Sequence, residues 1–215
     1  MSSTGVFITL EGIEGAGKST VARALESALR ARGLTVQLTR EPGGTPLAEQ
    51  VRALVLGRSA EQISPLAETL LMCAARAIHL ANLVRPALAR GEWVICDRFS
   101  DATRAYQGAG RSVDGELIER LLAAVHSDLW PRRTLLLDLP VLEGLARAQA
   151  RRGTQDRFET ETHQFFERVR ARYLELARAE PRRIRVIDAS AAAGIVAQRA
   201  LEALDDLLPQ APPGP

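Results

Sequence analysis

The sequence predicts an α/β fold in three layers, a five-stranded parallel sheet flanked by helices. Three observations carry this expectation. Five short apolar runs alternate with segments of helical periodicity, and such βα alternation builds parallel sheets with right-handed crossovers. The run Thr134-Leu135-Leu136-Leu137-Asp138-Leu139 is continuous rather than alternating, as a strand buried on both faces should be. The 215 residues, 46% hydrophobic and 25% charged, suffice for one such domain with a full core.

The first strand, Gly5-Val6-Phe7-Ile8-Thr9-Leu10, leads into Gly12-Ile13-Glu14-Gly15-Ala16-Gly17-Lys18-Ser19-Thr20, which fits G-x-x-x-x-G-K-S/T. In this pattern glycines let the backbone wrap an anion, while exposed N–H groups and the next helix N-terminus hold phosphates. Lys18 then reaches the β/γ-phosphates and Ser19 ligates Mg²⁺. Gly12 to Thr20 are therefore the candidate ATP-binding residues, the alternative being a Gly-rich turn that binds nothing. Val21 to Leu29 continues as an amphipathic helix, with Gly33 as its expected C-cap.

Leu34 to Thr39 is the second strand, and it stops at Arg40-Glu41-Pro42-Gly43-Gly44-Thr45, where proline and two glycines force a loop. Loops at the carboxyl ends of parallel strands face the ligand, so Arg40 sits where a phosphate can be clamped. Helices are expected from Pro46 to about Leu56 and, after a linker at 57–64, from Pro65 to Ala89. On the second, Glu68, Met72, Arg76, His79 and Leu83 share one face. An apolar stripe broken by one arginine fits a base or head group lying on it; the alternative is an Arg76 that snorkels to solvent.

Trp93-Val94-Ile95-Cys96 is the third strand, ended by Asp97-Arg98. Asp97 is a candidate Mg²⁺-side group and Arg98 a bidentate phosphate ligand, against a purely structural pair. Thr103, Tyr106 and Gln107 then share a helical face that Gly108 and Gly110 are expected to break. Asp114 caps a helix reaching about His126, and Thr134 to Leu139 is the fourth strand. A helix over 141–150 runs into Arg151-Arg152-Gly153-Thr154-Gln155-Asp156-Arg157-Phe158-Glu159. With Arg147 this is the one basic cluster, either a solvated face or a lid bringing positive charge to a transferring phosphoryl group. A helix from Glu161 to Ala179 with the core stripe Phe165, Val169, Tyr173 and Leu176, a fifth strand Ile184–Asp188 and a last helix to about Leu208 complete the chain. Residues 1–208 thus form a single P-loop domain with a lid at about 147–160, and 209–215 a disordered tail.

The net charge is only +2 and no long Lys/Arg tract occurs, which gives little support to nucleic-acid binding. Cys73 and Cys96 lie in apolar segments without metal-ligand spacing and are expected as buried reduced thiols of a cytosolic protein. No basic segment precedes the first apolar run and no stretch is expected to reach membrane-span length, so a soluble cytoplasmic location follows, with no membrane partner.

Four stretches resemble the thymidylate kinase family: Gly12 to Thr20, the Arg40 to Thr45 loop, Asp97-Arg98 with Ala105-Tyr106-Gln107-Gly108, and Asp156-Arg157-Phe158-Glu159 continuing to Arg170-Ala171-Arg172-Tyr173-Leu174-Glu175-Leu176. The resemblance implies a nucleoside monophosphate kinase-like P-loop fold, phosphorylation of dTMP to dTDP by ATP with Mg²⁺, and a homodimer. It assigns Glu14 to the sugar 3′-hydroxyl, Arg40 and Arg98 to phosphate, Arg76 to thymine O4, Thr103 to N3 and Tyr106 to the sugar 2′ position, with Gln107 in the same segment. Glu14 within the P-loop and arginines in the later loop resemble the bacterial type with lid arginines. The implied catalytic set is Lys18, Arg98, Arg151 and Arg157, with Ser19, Asp97 and Glu159 toward the metal and Thr45 as a helper. Met72 departs from the family's usual phenylalanine stacked on thymine, and Ala102 from a common serine. Gln149 and the doubled Arg151-Arg152 depart from the commoner lid spacing. The rival readings are a kinase of another nucleotide or nucleoside, and a P-loop regulator without chemistry.

Overall fold

The computed structural model describes residues 5–57, 61–126, 128–150 and 161–209. Its strands are β1 (Val6–Glu11), β2 (Val36–Arg40), β3 (Trp93–Asp97), β4 (Arg133–Asp138) and β5 (Ile184–Asp188), all parallel in the order β2-β3-β1-β4-β5. The expected sheet is present, with β1 at its centre. Leu10 and Arg40 both pair with Asp97, so the carboxyl ends of β1, β2 and β3 lie level and open onto one crevice.

The helices are α1 (Lys18–Ala31), α2 (Pro46–Leu56), α3 (Pro65–His79), α4 (Arg85–Ala89), α5 (Ser100–Thr103), α6 (Gly115–His126), α7 (Val141–Gln149), α8 (His163–Ala179) and α9 (Ala193–Glu202). Ile8, Leu10, Ile95, Leu135 and Leu137 turn to one face of the sheet and pack with Val21, Leu25 and Leu29 of α1 and Val196 and Ala200 of α9. Phe7, Val94 and Cys96 turn to the other, against Leu80, Val84 and Phe99, while Leu136 and Ile184 meet Phe166 and Val169 of α8. Burial on both faces is why most of these strands read as continuous apolar runs. Gly33 does end α1: its φ is 78°, its N–H bonds Arg30 O and the Leu34 N–H bonds Leu29 O, a Schellman closure.

Three helical expectations need correction. The helix from Pro65 to Ala89 is not uniform, because residues Leu80–Val84 form a π-helical turn, with the Arg85 N–H on Leu80 O. Pro86 has no N–H to give and its ring crowds the preceding turn, and the wider turn just before it absorbs that. Gly108 and Gly110 do not break the helix after α5, which continues as a π-segment over Arg104–Gly110. The last helix stops at Glu202, and Asp205–Leu207 form a 3₁₀ turn. Acidic side chains at a helix C-terminus oppose its dipole, and Asp206 is drawn instead onto Arg133 at 2.6 Å.

The expectation that no stretch reaches membrane length is also corrected: Pro65–Ala89 is long and apolar enough by composition, with a mean hydropathy of 1.2. Its Glu68, Arg76 and His79 are nonetheless buried in protein contacts, as befits a core helix of this sheet. Residues 151–160, which include Arg151, Arg152, Arg157 and Glu159, and the 210–215 tail lie outside the described residues.

Candidate active site

The P-loop joins β1 to α1 through Gly12, Gly15 and Gly17, with φ of 138°, 76° and 88°. At Gly15 the demand is strict, since a Cβ there would lie 2.0 Å from the Gly144 carbonyl oxygen. Gly17 caps α1 without a side chain, so no capping group competes with an anion for the N–H groups that open the helix. Lys18 is buried and its ammonium donates to Gly12 O at 3.0 Å and Ile13 O at 2.9 Å, spanning the loop. Burial, with the Arg98 charge next, lowers its pKa to about 8.

The Ser19 hydroxyl donates to Asp97 Oδ2 at 3.1 Å across 78 residues of sequence. Hydroxyl and carboxylate oxygens side by side on the P-loop cleft are the hard donor set that Mg²⁺ takes, so these two expected ligands fit the ion. Glu159, the third, lies outside the described residues, as do Arg151 and Arg157. Beyond Gly17 and Thr20 the cleft continues into a cavity of about 350 Å³ walled by Ala189, Ala191 and Val196. Arg147 closes its edge by donating to Ala189 O at 2.9 Å.

A second cavity opens between α3, the loop after β2 and the segment after β3, lined by Glu14, Met72, Arg76, Arg98, Thr103 and Tyr106 among others. Arg76 does not snorkel: it is 3% exposed, with Nε on Glu41 Oε2 at 2.6 Å and Nη2 on Phe99 O and Thr103 Oγ1, both at 3.0 Å. Its Nη1 is buried and has no hydrogen-bond partner among the described residues. Glu41 also accepts from His79 Nδ1 at 2.9 Å, and although burial works against its charge, Arg76 and His79 hold its carboxyl below the usual range. Gln107 donates to the buried Glu68 at 2.8 Å.

Arg98 joins the two cavities. Its Nη2 meets Glu14 Oε1 at 2.7 Å, its guanidinium lies 4.6 Å from the Tyr106 ring centroid, and Tyr106 donates to the other Glu14 oxygen at 2.7 Å. An Asp97–Arg98 pair is therefore not what ends β3, because the two side chains face different partners. Arg40 sits on the rim of the P-loop cleft but is half exposed and paired with Glu49 at 3.0 Å, rather than turned inward. Thr45 is the N-cap of α2, accepting from Ala48 N–H.

Two participants escape sequence reasoning. Glu11 is fully buried at the end of β1, and burial, followed by Asp101, pushes its carboxyl up to about 8 against the pull of Tyr173, Arg98 and the Phe99 N–H. The signal available was the one that marked Asp97, an acid closing an apolar strand. Tyr173, read as a core residue, also bonds Glu11 and Arg98 through its hydroxyl.

Residues 10–200 match the family model for thymidylate kinase. The chain belongs to the thymidylate kinase family. It is 58% identical over 207 residues to the thymidylate kinase of Pseudomonas syringae pv. syringae (strain B728a), covering 96% of each chain. It is 54% identical over 206 residues to that of Pseudomonas fluorescens (strain SBW25), again covering 96% of both. The crystal structure of thymidylate kinase from Ehrlichia chaffeensis superposes with a TM-score of 0.77 at 32% identity, over 94% of this chain and 99% of that one. In this chain the P-loop, Arg98 and the Arg76 pocket lie along one continuous crevice.

Proposed function

We propose that the chain transfers the γ-phosphoryl group of ATP to the 5′-phosphate of dTMP, giving dTDP for DNA precursor synthesis. The observation that carries this reading is the second cavity, where Arg76 is locked by three bonds and keeps one buried N–H group, on Nη1, without a partner. A fixed donor in an otherwise largely apolar pocket selects a ring that presents a carbonyl oxygen, as thymine does at O4. Thr103 beside it takes the N3 edge, and the Glu14–Tyr106 pair bounds the sugar.

The acceptor phosphate is already a nucleophile near neutral pH, so positioning and charge neutralisation make up the chemistry. Arg98 binds the acceptor phosphate, and Lys18 with the P-loop N–H groups binds the β- and γ-phosphates. Ser19 and Asp97 would hold Mg²⁺, which supplies charge neutralisation on the transferring phosphoryl group when bound. Ala189 to Ala192 and Arg147 form the donor-base cavity, and Arg40 exchanges Glu49 for phosphate. Arg151 and Arg157 complete the positive surround from the lid. A cytoplasmic homodimer is part of the reading, supported by Leu47 and Leu54 of α2 and Leu66 and Leu70 of α3, exposed on two adjoining helices.

An acceptor panel with ATP and Mg²⁺ tests the reading through ADP release. Turnover should be highest with dTMP and at least about a hundredfold lower with dCMP, whose amino group leaves the Arg76 donor facing another donor. Faster turnover of dCMP or dGMP would overturn it, and no ADP with any monophosphate would favour a regulator.

A further inference from the structure

A fully buried carboxylate is a costly thing to place in a sheet core, yet among the described residues Glu11 has no Lys or Arg within ion-pair distance. Its two oxygens are both committed, Oε1 accepting the Phe99 N–H at 2.7 Å and Oε2 bonding the Tyr173 hydroxyl at 2.6 Å. The residue between its neighbours is Arg98, the one non-glycine residue besides Ser112 with a positive φ, at 72°, among those described. Such a backbone is strained for a residue with a side chain and persists only where its surroundings over-determine it. Here the last two residues of β1 do so, for Leu10 O takes the Arg98 N–H at 2.9 Å and the Glu11 side chain takes the next one. The Tyr173 hydroxyl then reaches Arg98 Nη1 at 3.4 Å, so Glu11 also orients the oxygen that steadies the guanidinium.

We propose that Glu11 is a positioning residue for Arg98, fixing its backbone through Phe99 N–H and its guanidinium through Tyr173, and so placing the acceptor phosphate against the P-loop. The inference rests on the reading of Arg98 as the acceptor-phosphate ligand. Its consequence is mechanical: one strand, β1, carries both the loop that holds the donor phosphates and the grip on the arginine that holds the acceptor.

The direction of the Tyr173 bond matters. With Glu11 ionised, Tyr173 donates to it and offers Arg98 a lone pair; with Glu11 protonated, the bond reverses and the phenolic proton turns toward the guanidinium. The titratable and charged groups facing Glu11 are Asp101 of α5, Arg98, Tyr173 of α8, Lys18 of α1, Arg76 of α3 and Cys96 of β3. Glu11→Gln keeps the volume and a carbonyl for Phe99 N–H but can only donate to Tyr173, and thus fixes the reversed state.

The test is steady-state kinetics of Glu11→Gln, Tyr173→Phe, the double variant and Arg98→Lys, at about pH 7 and pH 9, with melting temperatures. Glu11→Gln should lower kcat/KM for dTMP about tenfold at the higher pH and less at the lower, with KM for ATP within about twofold, as expected for one bond to a charged group. The double variant should be no worse than the worse single one, because both act through one chain of bonds. A Glu11→Gln enzyme within about twofold of the parent at both pH values, while Arg98→Lys is impaired, would overturn the proposal. So would KM values for both substrates rising together with a fall in melting temperature, the mark of a merely structural role. If Glu11→Gln does not fold, an unimpaired Tyr173→Phe overturns it equally. An unimpaired Arg98→Lys would instead remove the assignment of Arg98 itself.

Discussion

The two halves of the crevice are built from different materials. The donor half is made of backbone, with three left-handed glycines, the first turn of α1 and one lysine arched over the loop, around a cavity of about 510 Å³. The acceptor half is made of side chains held by one another, Glu41–Arg76–Thr103 and Glu14–Arg98–Tyr106, around a cavity of about 80 Å³. A phosphate chain is a generic ligand and needs only N–H groups and charge. A base must be told from other bases, and that takes donors fixed in advance by buried ion pairs.

The contrast implies that donor-side substitutions cost chemistry and acceptor-side ones cost both selectivity and stability. Lys18→Ala should give the largest effect, a loss of turnover on the order of 10³-fold in an ADP-release assay, with the unfolding midpoint little changed or raised. The midpoint is expected to hold because the side chain's buried charge is itself disfavoured where it sits. Arg76→Ala should differ in kind, leaving Glu41 buried with only His79 and costing about 3 kcal/mol in urea unfolding besides a raised dTMP KM. Equal stability losses in the two variants would erase the distinction. The smallest effect belongs to Met72→Phe on the same α3 face, which should lower the dTMP KM about threefold by adding an aromatic contact to the base. An unchanged or higher KM would mean that the base lies elsewhere.

The same contrast decides what could be read from the sequence. Gly12 to Thr20 are contiguous and their chemistry is local, so the donor half is legible from one stretch. The parallel sheet is legible too, because burial on both faces leaves continuous apolar runs. Arg76 could be singled out as an arginine on an apolar face, but its burial depends on Glu41, Phe99 and Thr103, at separations of 35, 23 and 27 residues. No periodicity reports such pairings. Arg40 and Thr45 lie in the expected loop, yet one is held by Glu49 and the other spends its hydroxyl on a helix cap, contacts that only the fold arranges. The π-turns at Leu80–Val84 and Arg104–Gly110 escaped because a one-residue widening hardly disturbs a helical pattern.

The left-handed backbone of Arg98 has one more consequence, for the sequence space open to this chain. Glycine adopts φ of 72° freely, so the backbone alone would prefer it here, but a glycine would leave Glu14 without its partner at 2.7 Å and Tyr106 without the guanidinium on its ring. The arginine sets a strained backbone against a partly buried ion pair, at the place where the two cavities meet. The usual exchange of a left-handed residue for glycine is therefore closed at this position, and a search for firmer variants must leave it alone whether or not turnover is selected.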